Sequence, residues 1–440
     1  MSLPYDPAQI ARRHGTPTYV YDAATIHRQV DALQREGVTI RYAQKANSNL
    51  AVLALMRSRG VVVDAVTAGE VHRALKAGFD PSDVVFTADL LDADALAVLS
   101  AHRCPVNCGS ADMLDTLAEA GLEDLPVTLR LNPGFGHGHS RKVNTGGPSS
   151  KHGIWQAQLP ETLDRAHALG LRVRGLHMHI GSGADFDHLA KVCDAMEQAA
   201  DVFVKHASSR PGQLEVISAG GGLPIDYHRH TAAAAAGPES ASASAFDVER
   251  FLVLWLATRD RIRETAGGGV ELEVEPGRFL VAEAGTLLTR VRALKLQGEG
   301  AGAQRYVLID AGFNDLVRPS FYGAFHHVSV YEPGGSARVG EAAAAIAGPL
   351  CESCDVFTQN EDGVVQTRTM ADAQVGDLLV LHDAGAYGFA MASNYNSRRL
   401  AEEVMIVEGQ PHTVRARQPV EDLYRLESIP EGVERPALAV

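Results

Sequence analysis

The chain predicts an α/β fold: a TIM-like (β/α)8 barrel with a second, C-terminal domain rich in antiparallel strands. Short apolar strands alternate with helical stretches over most of the first 280 residues, and eight such units joined by right-handed crossovers close into a barrel. Polar and glycine-rich sequence clusters just after these strands, at the end where barrels gather their chemistry. After residue 283 the texture changes to Val-, Leu- and Thr-rich runs punctuated by Gly and Asp turns. A doubly wound open sheet is the fallback architecture.

Taken in order, the stretch Thr16-Pro-Thr-Tyr-Val-Tyr21 alternates like the C-terminal runs and is expected to join the second sheet. The barrel is therefore assigned to residues 25–282, and the second domain to residues 1–24 with 283–440. Barrel strands are expected at Ile40–Ala43, Val61–Val66, Val84–Thr87, Pro105–Cys108, Val127–Asn132, Val173–Ile180, Leu214–Ala219 and Leu272–Glu275. Helical patterns between them include Ala68–Ala77, Ala111–Ala120, Leu159–Leu169 and Leu189–His206. Strands of the second domain are expected at Tyr306–Asp310, Ala337–Val339, Val364–Thr369 and Asp377–His382. The Ala-, Ser-, Gly- and Pro-rich stretch Ala232–Ala245 reads as a mobile surface insertion.

Composition narrows the function classes. A chain of 440 residues, 45% hydrophobic, can bury a large core. A net charge of −14 with both signs interspersed carries no electrostatic footprint for nucleic acid or anionic membrane. No apolar run approaches the roughly 20 residues of a membrane span, and the start lacks the basic and apolar regions of a signal peptide. Five cysteines, an odd count, argue against a disulfide framework. These features predict a soluble cytoplasmic globular protein.

Five segments carry chemistry. Lys45 ends Thr39-Ile-Arg-Tyr-Ala-Gln-Lys45, a strand running into a helix that Asn47, Ser48 or Asn49 can cap. A lysine withdrawn from water at a strand mouth favours its neutral amine, a nucleophile toward aldehydes; alternatively it snorkels its ammonium to solvent. Gly220-Gly-Gly222 follows an apolar strand and lets backbone N–H groups approach an anion such as phosphate, or simply makes a tight turn. Glu273 and Glu275 share a strand face, so at least one points into the barrel and needs a cationic partner; Arg278 is a candidate, and a protonated heteroaromatic nitrogen of a ligand is another. His177 and His179 face the same way and could hold a metal, or pack against a ring. Cys351-Glu-Ser-Cys354 has redox or zinc spacing but no second pair, leaving Cys351 as a candidate acid.

Together and in order, these segments resemble the fold-type III pyridoxal phosphate decarboxylases, and within them the branch acting on meso-2,6-diaminopimelate. The resemblance runs through Tyr42-Ala-Gln-Lys-Ala-Asn47, His179-Ile-Gly-Ser182, Gly220-Gly-Gly222, Glu275-Pro-Gly-Arg278, Asp310-Ala-Gly-Phe-Asn-Asp-Leu-Val-Arg-Pro319, Gly348-Pro-Leu-Cys-Glu-Ser353, Asp383-Ala-Gly-Ala-Tyr-Gly388 and Asn394-Tyr-Asn396. It covers about residues 15 to 425, and Gly134-Phe-Gly-His-Gly-His139 with Lys151-His-Gly153 matches the bacterial branch. It implies an alanine racemase-like fold, pyridoxal 5'-phosphate as cofactor, and a head-to-tail homodimer with shared sites.

The resemblance also implies roles. Lys45 would hold the cofactor through its amine, and His179 would stack on the pyridine ring. Ser182, Gly220, Gly221, Gly222 and Tyr387 would bind the phosphate, with Asp64, Gly277 and Arg278 completing the cofactor-binding set. Glu275 would keep the pyridine nitrogen protonated, which favours decarboxylation over racemisation. Arg278 and Arg318 would take the far carboxylate of the substrate with a hydrogen bond from Tyr322, Tyr387 would also contact the substrate, Glu352 would take its far ammonium, and Cys351 would protonate the product carbon. The expected reaction converts meso-2,6-diaminopimelate to L-lysine and carbon dioxide. A decarboxylase of a related amino acid or siderophore intermediate, a metal-dependent hydrolase built on His177 and His179, and a non-catalytic cofactor binder are the rivals. Two departures from the family pattern, Ser397-Arg-Arg399 in place of Ser-Arg-Pro and the 232–245 insertion, touch no residue given a role.

Overall fold

A computed structural model describes residues 3–136, 145–183, 185–207, 213–231 and 246–433. The insertion at 232–245 and the second half of the Gly134–His139 motif lie outside them. The first strand, β1 (Thr18–Asp22), precedes the barrel strands β2 (Val38–Ala43), β3 (Val62–Ala65), β4 (Val84–Ala88), β5 (Val106–Cys108) and β6 (Val127–Asn132). A two-residue strand β7 (Ile154–Trp155) follows, then β8 (Val173–Met178), β9 (Val216–Ser218) and β10 (Glu271–Val274). Seven parallel pairings run in order from β2 round to β10, with β7 attached to the side of β6. A parallel pairing of β10 with β2, Leu272 beside Val38, closes the ring.

Local sequence explains the alternation. Strands covered on both faces can read as near-continuous apolar runs, as in Val84–Ala88. The intervening helices start at side-chain caps: Asp22 accepts from Thr25 N–H, Asn49 from Ala51, Thr67 from Glu70 and Asp92 from Ala95. Each such cap is worth about 1 kcal/mol. The helices then press an apolar face on the barrel; Trp255 of Val248–Ala266 is fully buried there with Phe251 and Ile262.

The second sheet is built on a long strand, β11 (Gly285–Gln297), followed by β12 (Gln304–Ile309), β13 (Val328–Tyr331), β14 (Ala342–Ala347), β15 (Arg368–Met370), β16 (Leu378–Leu381), β17 (Glu402–Val407) and β18 (Gln410–Arg415). As the alternation at residues 16–21 predicts, β1 lies in this sheet, antiparallel to β11 and parallel to β17. Its Tyr19 and Tyr21 enter a core with Leu287, Ile309, Phe357 and Leu381. Two expected strands differ. Ala337–Val339 makes only an isolated bridge from Ala337 to Tyr331, and Val364–Thr369 contracts to β15 because ladder pairing with β14 starts only at Arg368. No helix among the described residues is long and apolar enough to cross a membrane.

Candidate active site

Loops following the barrel strands and loops of the second sheet enclose two adjoining cavities, the larger about 180 Å³. Lys45, His179, Ser182, Arg278 and Tyr387 line both. The inner one adds Asp64, Gly221, Gly222, Glu275 and Gly277, and the outer one Thr145, Arg318 and Tyr322. β2 ends at Ala43, and a single 3-10 turn over Gln44–Ala46 swings Lys45 into this space before Asn49 caps the next helix. The expectation that Lys45 leaves water is not met: the residue is exposed, because the turn lifts it off the strand into an open cavity.

Both strand-end glutamates face inward, but Arg278 is not their partner. Glu273 pairs with Arg41, Nη2 to Oε1 at 2.7 Å and Nε to Oε2 at 3.1 Å. Glu275, 8% exposed, accepts from Ser218 Oγ at 3.0 Å, and its other oxygen lies 2.9 Å from His177 Nε2. The reason is geometric: β9 and β8 are the next strands beside β10, so Ser218 and His177 meet Glu275 from the side, whereas Arg278 lies beyond the Pro276-Gly277 bend and donates to Tyr227 at 2.7 Å. Burial alone would raise the Glu275 pKa, but His177, Arg41 and Ser218 outweigh it and hold the carboxyl below its ordinary range. Asp64 is pushed up to about 6 by burial and by the charge of Glu275, and its Oδ1 has no hydrogen-bond partner among the described residues.

His177 is thus committed to Glu275, and His179 turns into the cavity. No group of three or more His, Cys, Asp or Glu among the described residues is arranged to hold a metal ion. His179 Nδ1 is buried without a hydrogen-bond partner, and burial followed by the charges of Arg130 and Lys45 lowers its pKa well below 6.5. The ring is therefore a neutral platform. Beside it, a Cβ on Gly222, whose φ is +98°, would collide with the Gly181 carbonyl, and one on Gly221 would strike the Glu275 carbonyl. Only glycines can line this concave wall. Gly220 sits just behind it, against Met178 and His179.

Arg318 is 3% exposed, and neither it nor Arg278 forms an ion pair with a carboxylate of the described residues. Arg278 stacks over Tyr387, guanidinium carbon to ring centre 5.0 Å, and Arg318 over Tyr227 at 4.9 Å. Burial, and the like charge of Arg278, lower the Arg318 pKa. Tyr387 is held in place with a φ of +56° by a bond from its N–H to the Ala46 carbonyl.

Cys351 and Glu352 do not join this cavity. Both are exposed on the loop after β14, where Cys351 N–H donates to Asn396 Oδ1 at 3.1 Å and Tyr395 donates to Glu352 at 3.3 Å. Reading the sequence also missed several groups. Thr145 lines the outer cavity, Tyr227 bridges the two arginines, Arg41 neutralises Glu273, and Arg130 is buried near Glu275 and Asp64. A lone arginine within an apolar strand, as in Val127-Thr-Leu-Arg-Leu-Asn132, was the available signal for Arg130.

An amine, an aromatic platform with an orphaned nitrogen, a buried carboxylate and a glycine-walled recess share one space, a set that fits a pyridoxal group. Comparison with known proteins agrees. The family of pyridoxal-dependent decarboxylases, pyridoxal binding domain, matches residues 23–282. Diaminopimelate decarboxylase of Escherichia coli K12 is 48% identical over 420 residues, 94% of each chain. A crystal structure of diaminopimelate decarboxylase superposes with a TM-score of 0.85 at 47% identity, covering 96% of this chain and 95% of the other. The enzyme of M. jannaschii in complex with L-lysine gives a TM-score of 0.83 at 27% identity, covering 97% and 95%. The chain belongs to the pyridoxal-dependent decarboxylase family and, within it, to the diaminopimelate decarboxylases.

Proposed function

We propose that the chain decarboxylates meso-2,6-diaminopimelate to L-lysine and carbon dioxide with pyridoxal 5'-phosphate, as the final step of lysine formation. The observation that carries this reading is the pair Arg278 and Arg318, both on the cavity with Lys45 and neither ion-paired with a carboxylate of the described residues. A substrate whose far end bears a carboxylate satisfies them; one whose far end is a bare amine leaves a buried guanidinium unpaired.

When bound, pyridoxal phosphate supplies the electron sink that accepts the bonding pair released as carbon dioxide leaves. The chain's own groups do the rest. Lys45 would hold the group through its amine, which points into the cavity. His179 offers its ring face, and Gly221, Gly222 and Ser182 offer the concave wall for a phosphate, with Gly220, Gly277 and Tyr387 framing it. Each oxygen of Glu275 has one protein partner, which leaves lone pairs to accept an N–H from a pyridine nitrogen and keep it protonated. Tyr322 and Tyr387 border the far end beside the arginines.

Cys351 and Glu352 are assigned to the site of a second copy, the thiol as proton donor and the carboxylate as partner of the far ammonium. Their exposure outside this chain's own cavity supports that, as do the exposed rings of Tyr395 and Phe321 flanking their loop, 41% and 50% accessible. A homodimer with shared sites follows, in the cytoplasm. The division into a barrel domain, 25–282, and a second domain, 1–24 with 283–440, belongs to the same proposal and is supported by β1 lying in the second sheet.

The test is turnover. Purified protein with added pyridoxal phosphate should release carbon dioxide and lysine in equal amounts from meso-diaminopimelate. Carbon dioxide from ornithine and none from diaminopimelate would reject the substrate.

A further inference from the structure

What holds Arg318 is neutral. Its Nη1 lies 3.0 Å from Nε2 of His326, and its guanidinium carbon 4.9 Å from the ring of Tyr227. His326 is 1% exposed, and its Nδ1 lies 2.8 Å from the His382 carbonyl oxygen. A carbonyl only accepts, so Nδ1 carries the proton; a guanidinium only donates, so Nε2 is bare. Both ring nitrogens are thereby assigned, and the imidazole is the neutral Nδ1–H tautomer. Tyr227 closes over it edge-on, ring centres 5.6 Å apart at 76°. His382 is itself tied by Nε2 to Ser329 of β13 at 2.8 Å.

We propose that His326 is a positioning residue for recognition of the substrate's far carboxylate, its proton-free Nε2 holding one arm of Arg318 so that the guanidinium faces the cavity. The inference rests on the reading that Arg318 receives that carboxylate. A carboxylate in place of His326 would also orient the arginine, but it would neutralise it and compete with the substrate. An apolar side chain would leave a flexible guanidinium unheld, beside the like charge of Arg278. A neutral acceptor orients without discharging. The charged groups facing His326 agree with a ring kept neutral: burial first, then Arg318, Arg368 and Arg278 lower its pKa well below 6.5, against the one opposing bond to the His382 carbonyl.

The test compares holoenzyme variants H326N, H326Q and R318M, measuring KM and kcat for meso-diaminopimelate and, by calorimetry, L-lysine binding. L-lysine keeps the far carboxylate. Asparagine retains the bond to the His382 carbonyl but stops short of Arg318, whereas the glutamine amide oxygen reaches the place of Nε2. Losing one charge-assisted bond corresponds to about a 10- to 100-fold change in affinity. H326N should raise KM and weaken L-lysine binding by that factor, with kcat within about threefold. H326Q should restore both, and H326N should add nothing in an R318M background. Equal behaviour of H326N and H326Q overturns the inference. If R318M leaves KM and L-lysine binding unchanged, the assignment of Arg318 fails and takes the inference with it. Should H326N not fold, H326Q decides alone: wild-type KM supports the proposal and a tenfold rise overturns it.

Discussion

The Nε2 atom of His177 lies 2.9 Å from Oε2 of Glu275, so a buried carboxylate of the cavity is held by an imidazole from a strand end 98 residues earlier in the chain. Ser218 holds the other oxygen, and the pair fixes the carboxylate plane while leaving further lone pairs for a ligand. A carboxylate kept ionised in a buried site is a strong acceptor for a protonated ring nitrogen.

Replacing Glu275 by glutamine should preserve cofactor binding and lower kcat by about 100-fold or more, since an amide cannot hold the ring nitrogen in its protonated form. Steady-state kinetics with a visible absorbance spectrum of the variant check this. Near-normal turnover would remove Glu275 from the chemistry.

The glycine wall separates backbone strain from ligand fit. G222A places a methyl group against the Gly181 carbonyl at a φ of +98°, and pyridoxal phosphate affinity should fall at least about tenfold, as for a lost charge-assisted contact. G60A is the control: its φ is +71°, but its methyl would meet nothing within 4 Å, so stability should drop with affinity unchanged. Cofactor titration of both variants tests the pair, and equal affinities would deny the wall a role.

The proposed sharing of sites between two copies makes a prediction about mixtures. K45A and C351A should each be nearly inactive, yet equal amounts unfolded and refolded together should recover about a quarter of wild-type activity, because half the dimers are mixed and each has one intact site. Activity that never exceeds the sum of the separate variants would place Cys351 outside a shared site.

Acid should loosen the junction between barrel and second sheet. His230, His327 and His382 meet there with ring centres 5.1 to 5.3 Å apart. Burial, then neighbouring charge, lowers the pKa of His230 to about 4 and of His382 to about 3. Below about 6.5 the unfolded chain binds protons that these folded histidines refuse, so their contribution to stability falls with pH from about 6.5 towards 4. Asp383 opposes this: burial pushes it up to about 7, so the folded state takes its proton first and gains stability over the same range. H230N should therefore lose less stability between pH 7 and pH 5 than wild type. Urea midpoints at the two values measure it, and an unchanged difference would contradict the cause.

The barrel was legible because short strands rich in Val, Leu and Ile alternate with helical patterns, and each expected barrel strand overlaps an observed one. Ala337–Val339 misled because strand-like composition does not guarantee a partner; only Ala337 found one. Partners on neighbouring strands, far apart in sequence, were the least legible. Arg278, three residues from Glu275, was the natural candidate by sequence, and His177 and Ser218 hold the carboxylate instead. His326 was not legible, since nothing local announces that its ring will reach Arg318 through one nitrogen and the carbonyl of His382, just after β16, through the other.

Lys45 is the residue proposed to carry the cofactor. Borohydride reduction of the pyridoxal phosphate-loaded protein, followed by proteolysis and mass spectrometry, locates the attachment directly. The pyridoxyl group should be found on the peptide containing Lys45 and be absent from K45A. A modification on another lysine in the wild-type protein, or none at all, would contradict it.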